Sequence, residues 1–281
     1  MREFDYRPVA EALQTEDIVG TLSAIHECRR EQSSFIAARP YVLNELQRAA
    51  ATESAAASNR IEGISAPGQR VSALVKQETA PQNRSEIEIA GYRDVLNTIH
   101  ENYYYLPPHP EVIISLHRDL FRYSGSPAAG RFKKSDNPIA GHDAQGGKIS
   151  LPTIPADETP STMARLCAAY LREAERGEIE PLLLIPVFVL DFLCIHPFGD
   201  GNGRMSRLLT LLLLNRSGYA IGKYISLETL IEQTQDAYYA ALQSSAAGWY
   251  DNANRSEPFV TYMLGIILNA YQQLVSHIAA H

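Results

Sequence analysis

The chain has 281 residues, 45% hydrophobic and 20% charged, which is an ordinary globular balance with enough length for a sizeable buried core. Its formal net charge of −7 argues against a general nucleic-acid binder, which needs a basic surface, but not against a small basic pocket for a nucleotide. Three scattered cysteines, Cys28, Cys167 and Cys194, lack metal spacing and read as free thiols in a reducing compartment. The N-terminus is not a signal peptide, and the longest apolar run, 181–195, is interrupted by Asp191 and too short to span a bilayer. A cytoplasmic protein is expected.

Periodicity predicts helices almost throughout. Residues 9–30 and 41–61 read as helices, the second alanine-rich and stopped by Gly63. A loop with Pro67, Gly68 and Pro81 follows, then a helix over 84–102. Pro107, Pro108 and Pro110 break the chain before a short helix from Glu111 to Phe121. Residues 122–156 are turn-rich, with room for a hairpin around Gly146-Gly147. A loop this long inside a helical domain is often functional. Asp157 or Thr159 is placed to cap a helix running to Arg176. Residues 181–195 are apolar on every side, so that helix is the expected core. A second apolar helix spans Leu208 to Leu214. An amphipathic helix over 226–247 and a last helix over 257–279 complete an all-α chain. Two separate domains joined near Pro81 are the alternative organisation.

Between the two apolar helices lies His196-Pro197-Phe198-Gly199-Asp200-Gly201-Asn202-Gly203-Arg204, with Arg207 three residues on. Gly201, Asn202 and Gly203 lead into a helix N-terminus, whose free N–H groups and dipole favour an anion. Arg204 and Arg207 share a helix face and read as a clamp for a diphosphate. Asp200 is the natural carboxylate for a Mg²⁺ that also binds phosphate oxygens. His196, at the end of the preceding helix, supplies a base. The helix C-terminus should favour its protonated form. The loop lacks the Gly-Lys-Ser/Thr ending of a P-loop. A metal hydrolase built on His117, His142 and His196 lacks ligand spacing.

The run His196 to Arg207 resembles the Fic (Fic/Doc) family signature H-x-F-x-[D/E]-G-N-G-R-x-x-R at every defined position. The resemblance extends over about residues 85–270. It implies an all-α Fic-fold bundle with a small β-hairpin flap near the active site. Its expected parts are an N-terminal helical region over 1–84 and a catalytic core over 85–281, with the flap at about 130–153. The implied activity is protein adenylyl transfer: ATP plus protein gives AMP-protein plus diphosphate, with ATP and Mg²⁺ as cofactors. His196 would then be the general base for a Tyr, Thr or Ser hydroxyl, and Asp200 the Mg²⁺ ligand. Gly201, Asn202 and Gly203 would bind the α- and β-phosphates, and Arg204 and Arg207 the β- and γ-phosphates. Phe198 reads as a core anchor for the loop.

A second segment, Ser58-Asn59-Arg60-Ile61-Glu62-Gly63, matches the family's inhibitory motif [S/T]-x-x-x-E-[G/N], here at 58–63. Taken alone it is a helix end with a surface carboxylate. Beside the first motif it implies that Glu62, one turn from Ser58, pairs with Arg207 and keeps the enzyme self-inhibited. The same glutamate is implicated in AMP removal in some members.

The stretch from Gly130 to Ile139 resembles the approach to the flap, which is thought to hold a target segment by strand addition. Asn137, Pro138, Ile139 and Ala140 are the candidate ATP contacts there. Tyr238 and Tyr239 resemble a Tyr-Tyr pair near adenine and ribose. Adjacent helix positions point about 100° apart, which favours one of them facing the pocket. Ala246 stands where some relatives carry Asn, with Trp249 nearby. Expected partners are a protein with a hydroxyl target, the chain itself included, and a second copy in a homodimer, with no membrane. The chain ends just after the last expected helix, so the DNA-binding domain that follows the core in many relatives is not expected. The competing readings are AMP removal, transfer of phosphate or phosphocholine, and an inactive nucleotide-binding interaction module. Intact His196 and Asp200 argue against the last.

Overall fold

The computed structural model describes residues 3–36, 40–142 and 148–279. The chain opens with α1 (Tyr6–Ala12) and α2 (Glu16–Ile36), so the single helix expected over 9–30 is two. The break lies at Thr15, whose hydroxyl accepts from the Ile18 amide at 3.4 Å, followed by Glu16 and Asp17 in a fresh first turn. Next comes α3 (Pro40–Ile61), then α4 (Gly68–Val75) inside the stretch expected to be a loop. Pro67 and Gly68 read as breakers, yet they sit at this helix's start, where a missing N–H costs least. Val71 and Leu74 bury its inner face.

α5 (Arg84–Asn102) is capped by Asn83, which accepts from the Glu86 amide at 3.0 Å. α6 (Pro110–Leu120) crosses it closely at Gly91. A Cβ at Gly91 would lie 2.0 Å from the Leu120 carbonyl oxygen. Gly91→Ala should therefore destabilise the protein. The clash costs about 1–3 kcal/mol, and the gain in helix propensity returns at most about 1 kcal/mol. Urea unfolding reads the difference.

β1 (Ile139–His142) and β2 (Lys148–Leu151) pair antiparallel, Ile139 opposite Leu151 and His142 opposite Lys148. Gly146-Gly147, where a turn is expected, lie outside the described residues. α7 (Thr159–Arg176) follows. Neither Asp157 nor Thr159 caps it: Glu158 holds the cap position without a side-chain bond, and the Thr159 hydroxyl donates back to the Pro155 carbonyl at 2.8 Å.

α8 (Pro181–Ile195) and α9 (Asn202–Arg216) pack together at the centre, and every residue of α8 after Pro181 is buried. α9 starts six residues before the apolar stretch that marks it in the sequence. The expected helix over 226–247 is α10 (Leu227–Gln233) and α11 (Gln235–Ala246). Thr234 separates them, its hydroxyl turned back onto the Leu230 carbonyl at 2.8 Å. α12 (Glu257–Ala279) packs on α2, α8 and α11. Buried apolar residues from Tyr6 to Leu274 form one contiguous cluster, so the first 84 residues share a core with the rest. Within it α3 packs on α5 and α10, which brings residues 58–62 to the start of α9.

Candidate active site

α8 ends at His196, which adopts a left-handed backbone (φ 53°) while its amide donates to the Phe192 carbonyl at 3.0 Å. A non-glycine residue there carries strain, and strain concentrates at functional sites. The loop beyond is locked from within. Phe198 is fully buried and stacks on His117 of α6, with centroids 3.8 Å apart and planes within 4°. The Asn202 side chain accepts from the Phe198 amide at 2.9 Å and donates to its carbonyl at 2.8 Å. The Asn202 side chain therefore ties the loop, leaving its backbone at the start of α9.

Sequence reasoning missed His117 as part of this loop. Its Nδ1 accepts from the Gly130 amide at 3.0 Å, so Nε2 carries the proton and donates to the Asp200 carbonyl at 3.1 Å. A histidine 79 residues upstream leaves no local signal. Among the described residues no cluster of His, Cys, Asp and Glu could hold a metal on its own.

The two arginines part company. Arg204 is 1% exposed and donates to Glu88 of α5 at 2.6 Å, with the Phe121 ring 5.1 Å below its guanidinium. Its charge is met inside the protein by Glu88, with Asp200 at 3.6 Å. Glu88 was not legible as its partner. Arg207 donates through Nε to the Ser58 hydroxyl at 2.8 Å and through Nη2 to the Ser58 carbonyl at 2.8 Å. Nη2 also meets Glu62 Oε1 at 2.7 Å. That carboxylate lies against the start of α9: a Cβ on Gly203 would be 2.2 Å from Glu62 Oε1. Gly201 takes a left-handed φ of 80° at the cap of α9, and Asp200 Oδ1 accepts from the Gly201 amide at 2.6 Å. The Asp200 carboxylate is otherwise largely exposed.

Of the candidate contacts on the approach to β1, Asn137 instead turns toward the loop. It donates to the Phe198 carbonyl at 2.7 Å and the His196 carbonyl at 3.4 Å. Pro138 is exposed, and Ile139 and Ala140 begin β1. Tyr238 is buried against Phe259 and Tyr262, whereas Tyr239 is 43% exposed, as adjacent helix positions require. Trp249 donates to Asp191 at 2.6 Å inside the core.

Burial pushes the His196 pKa down to about 4, with Lys133 adding to it and the Leu193 carbonyl, Glu62 and Asp200 opposing. The expected preference for the protonated form is thus reversed: loss of water outweighs the helix dipole. Its Nδ1 is buried without a well-aligned partner. Burial also holds His117 and His100 at about 4. These rings bind fewer protons folded than unfolded between pH 6.5 and 4. Stability is fully present above the ordinary histidine range and is lost as pH falls through that window. Urea unfolding should lose about 1–2 kcal/mol per ring between pH 7 and 5, and His100→Asn should flatten the slope by one ring's share.

Residues 106–214 match the model of the Fic/DOC family. Over those residues the chain carries a Fic/DOC-family domain. The protein adenylyltransferase Fic of Aedes aegypti is 30% identical over 107 residues, 38% of this chain and 19% of that protein. The Drosophila melanogaster protein of the same name is 29% identical over 107 residues, 38% of this chain and 20% of the other. The match thus spans about a fifth of those relatives' length. A Fic family protein from Desulfovibrio desulfuricans superimposes with a TM-score of 0.78 at 25% identity, covering 93% of this chain and 75% of that one. A Fic domain containing signalling protein from Bacteroides thetaiotaomicron shares the fold, with a TM-score of 0.78 at 22% identity over 92% and 97%. Among the described residues no helix is long and apolar enough to cross a membrane.

Proposed function

We propose that this chain transfers AMP from ATP to a hydroxyl of a protein and that Glu62 holds it in a low-activity state. The observation that carries this reading is the Glu62 carboxylate on Arg207 and against Gly203. A protein anion occupies the helix N-terminus and guanidinium that would otherwise hold phosphate. The adenylyltransferase name of the insect relatives supports the reaction class.

In the reaction, the target hydroxyl oxygen attacks the α-phosphorus and the bond to the bridging oxygen breaks, releasing diphosphate. His196 Nε2 takes the hydroxyl proton, since Nδ1 is buried. The ring is neutral at pH 7 and ready to accept. Approaching phosphate charge raises its proton affinity. Backbone N–H groups of Asn202 and Gly203, and that of Gly201 once it leaves the Asp200 carboxylate, hold the α- and β-phosphates, and Arg207, once freed from Glu62, holds the γ-phosphate. Arg204 shapes the loop through Glu88. Asp200 offers one exposed carboxylate, the donor set Mg²⁺ takes when phosphate oxygens complete its shell. The ion, when bound, would neutralise phosphate charge.

The hairpin edge receives a target strand, and Tyr239 is the tyrosine of the pair open to an adenosine. Residues 1–84 regulate and 85–281 catalyse. Three free cysteines, two of them buried, are consistent with a reducing compartment such as the cytoplasm. One observation favours a second reading: Glu62 Oε2 has no partner among the described residues and is free to orient a water for AMP removal. Intact-mass analysis with ATP and Mg²⁺ tests the proposal. A gain of AMP in Glu62→Gly that disappears in Glu62→Gly/His196→Ala supports it; no adduct on the chain or on any added protein overturns it.

A further inference from the structure

Lys133 is 6% exposed, and among the described residues no carboxylate bonds it. Its ammonium has three N–H groups and three neutral acceptors. These are Asn137 Oδ1 at 2.7 Å, the Thr153 hydroxyl at 3.0 Å and the Ile195 carbonyl at 3.2 Å. Asn137 lies two residues before β1 and Thr153 two residues after β2, so the ammonium joins both feet of the hairpin to the end of α8. The Lys133 amide donates to the Pro197 carbonyl at 2.9 Å. Asn137 Nδ2 reaches the carbonyls of His196 and Phe198. Four consecutive carbonyls, 195 to 198, are thus held by two residues of one strap.

We infer that Lys133 and Asn137 are positioning residues for His196, holding its strained backbone from the segment that carries the β-hairpin. Seating of a strand on the hairpin is thereby linked to the setting of the base. A buried cation with only neutral acceptors is costly to keep, since a methionine of similar length would pack there without that penalty. The charge acts instead on its neighbour. The groups facing His196 are Lys133, which disfavours its protonation, and Glu62, Asp200 and the Leu193 carbonyl, which favour it. The Lys133 ammonium is itself driven down to about 8 by burial.

The inference rests on His196 as the base, but its test does not need AMP transfer. The His196 ring is titrated by NMR in the full chain, unchanged and with Lys133→Met. The His196 pKa should rise by about half a unit when the like charge goes. In the Glu62→Gly background the turnover should fall roughly ten- to a hundredfold, the cost of a misplaced base, with ATP affinity unchanged. If Lys133→Met does not fold, Lys133→Gln keeps donors and removes charge, and the same rise is expected. A His196 pKa that stays put in the folded variant, or an ATP affinity lost in parallel with turnover, overturns the inference. A pKa that moves in a protein showing no AMP transfer leaves the positioning role standing and removes only the reaction proposed above.

Discussion

Glu62→Gly should raise AMP incorporation roughly ten- to a hundredfold and lower thermal stability in the same protein. A charge-assisted hydrogen bond is worth about 1.5–3 kcal/mol, and each 1.36 kcal/mol corresponds to about tenfold. The Glu62 side chain is 31% exposed, so solvent screening places the effect toward the lower end. Stability moves the other way. Arg207 keeps the Ser58 hydroxyl and carbonyl but loses its one carboxylate among the described residues. A buried guanidinium left without a counter-charge is destabilising by roughly 1–2 kcal/mol here, less than for a fully buried pair. In the mechanism proposed above the γ-phosphate takes the place of the carboxylate, so adding ATP should restore part of the loss, since binding stabilises the folded state. Intact mass reads incorporation and scanning calorimetry reads stability. A variant that loses stability without gaining incorporation would show that the pair is structural and carries no inhibition.

Much of this site is legible in the sequence because it is local. His196 to Arg207 span 12 positions between two apolar helices, and the helix N-terminus, the glycines and Asp200 follow from chain order alone. The register of α5, α8 and α12 is equally plain, since their apolar residues repeat at helical spacing or fill every face. What is not legible depends on distance in the chain. His117 under Phe198, Glu88 against Arg204 and Lys133 beneath the loop are single polar residues in ordinary surroundings, and only the crossing of α5, α6 and the strap with α8 and α9 brings them in. The reversed protonation of His196 has the same origin. The helix dipole can be read from sequence, whereas the burial that outweighs it needs the packed core. Where a local rule and tertiary packing disagree, as at Thr15 and Thr234, side-chain bonds to the backbone decide the helix ends.

Glu88→Ala should cost about 3–5 kcal/mol of folding stability, the largest loss expected from any single change at this site. Arg204 is the largest fully buried side chain among the described residues, and Glu88 is its close acceptor at 2.6 Å. Removing that carboxylate leaves the buried cation with only the longer contact to the largely exposed Asp200 carboxylate at 3.6 Å. The second partner of Glu88, Arg84, is 88% exposed, and Arg84→Ala should shift stability by less than about 0.5 kcal/mol. Glu88→Gln should fall between the two, keeping an acceptor without the charge. Urea unfolding of the three variants gives the order directly. A near-zero cost for Glu88→Ala together with lost ATP binding would instead make Arg204 a ligand group, as the sequence suggests. The contrast with Arg207 is then physical. One arginine is closed off by an internal carboxylate on α5, part of the same rigid crossing as the loop. The other is met by a carboxylate just past the end of α3, a third exposed, the one proposed to exchange for phosphate. In the reaction proposed above, two guanidiniums one helical turn apart thus divide into a fixed support and an exchangeable anion site.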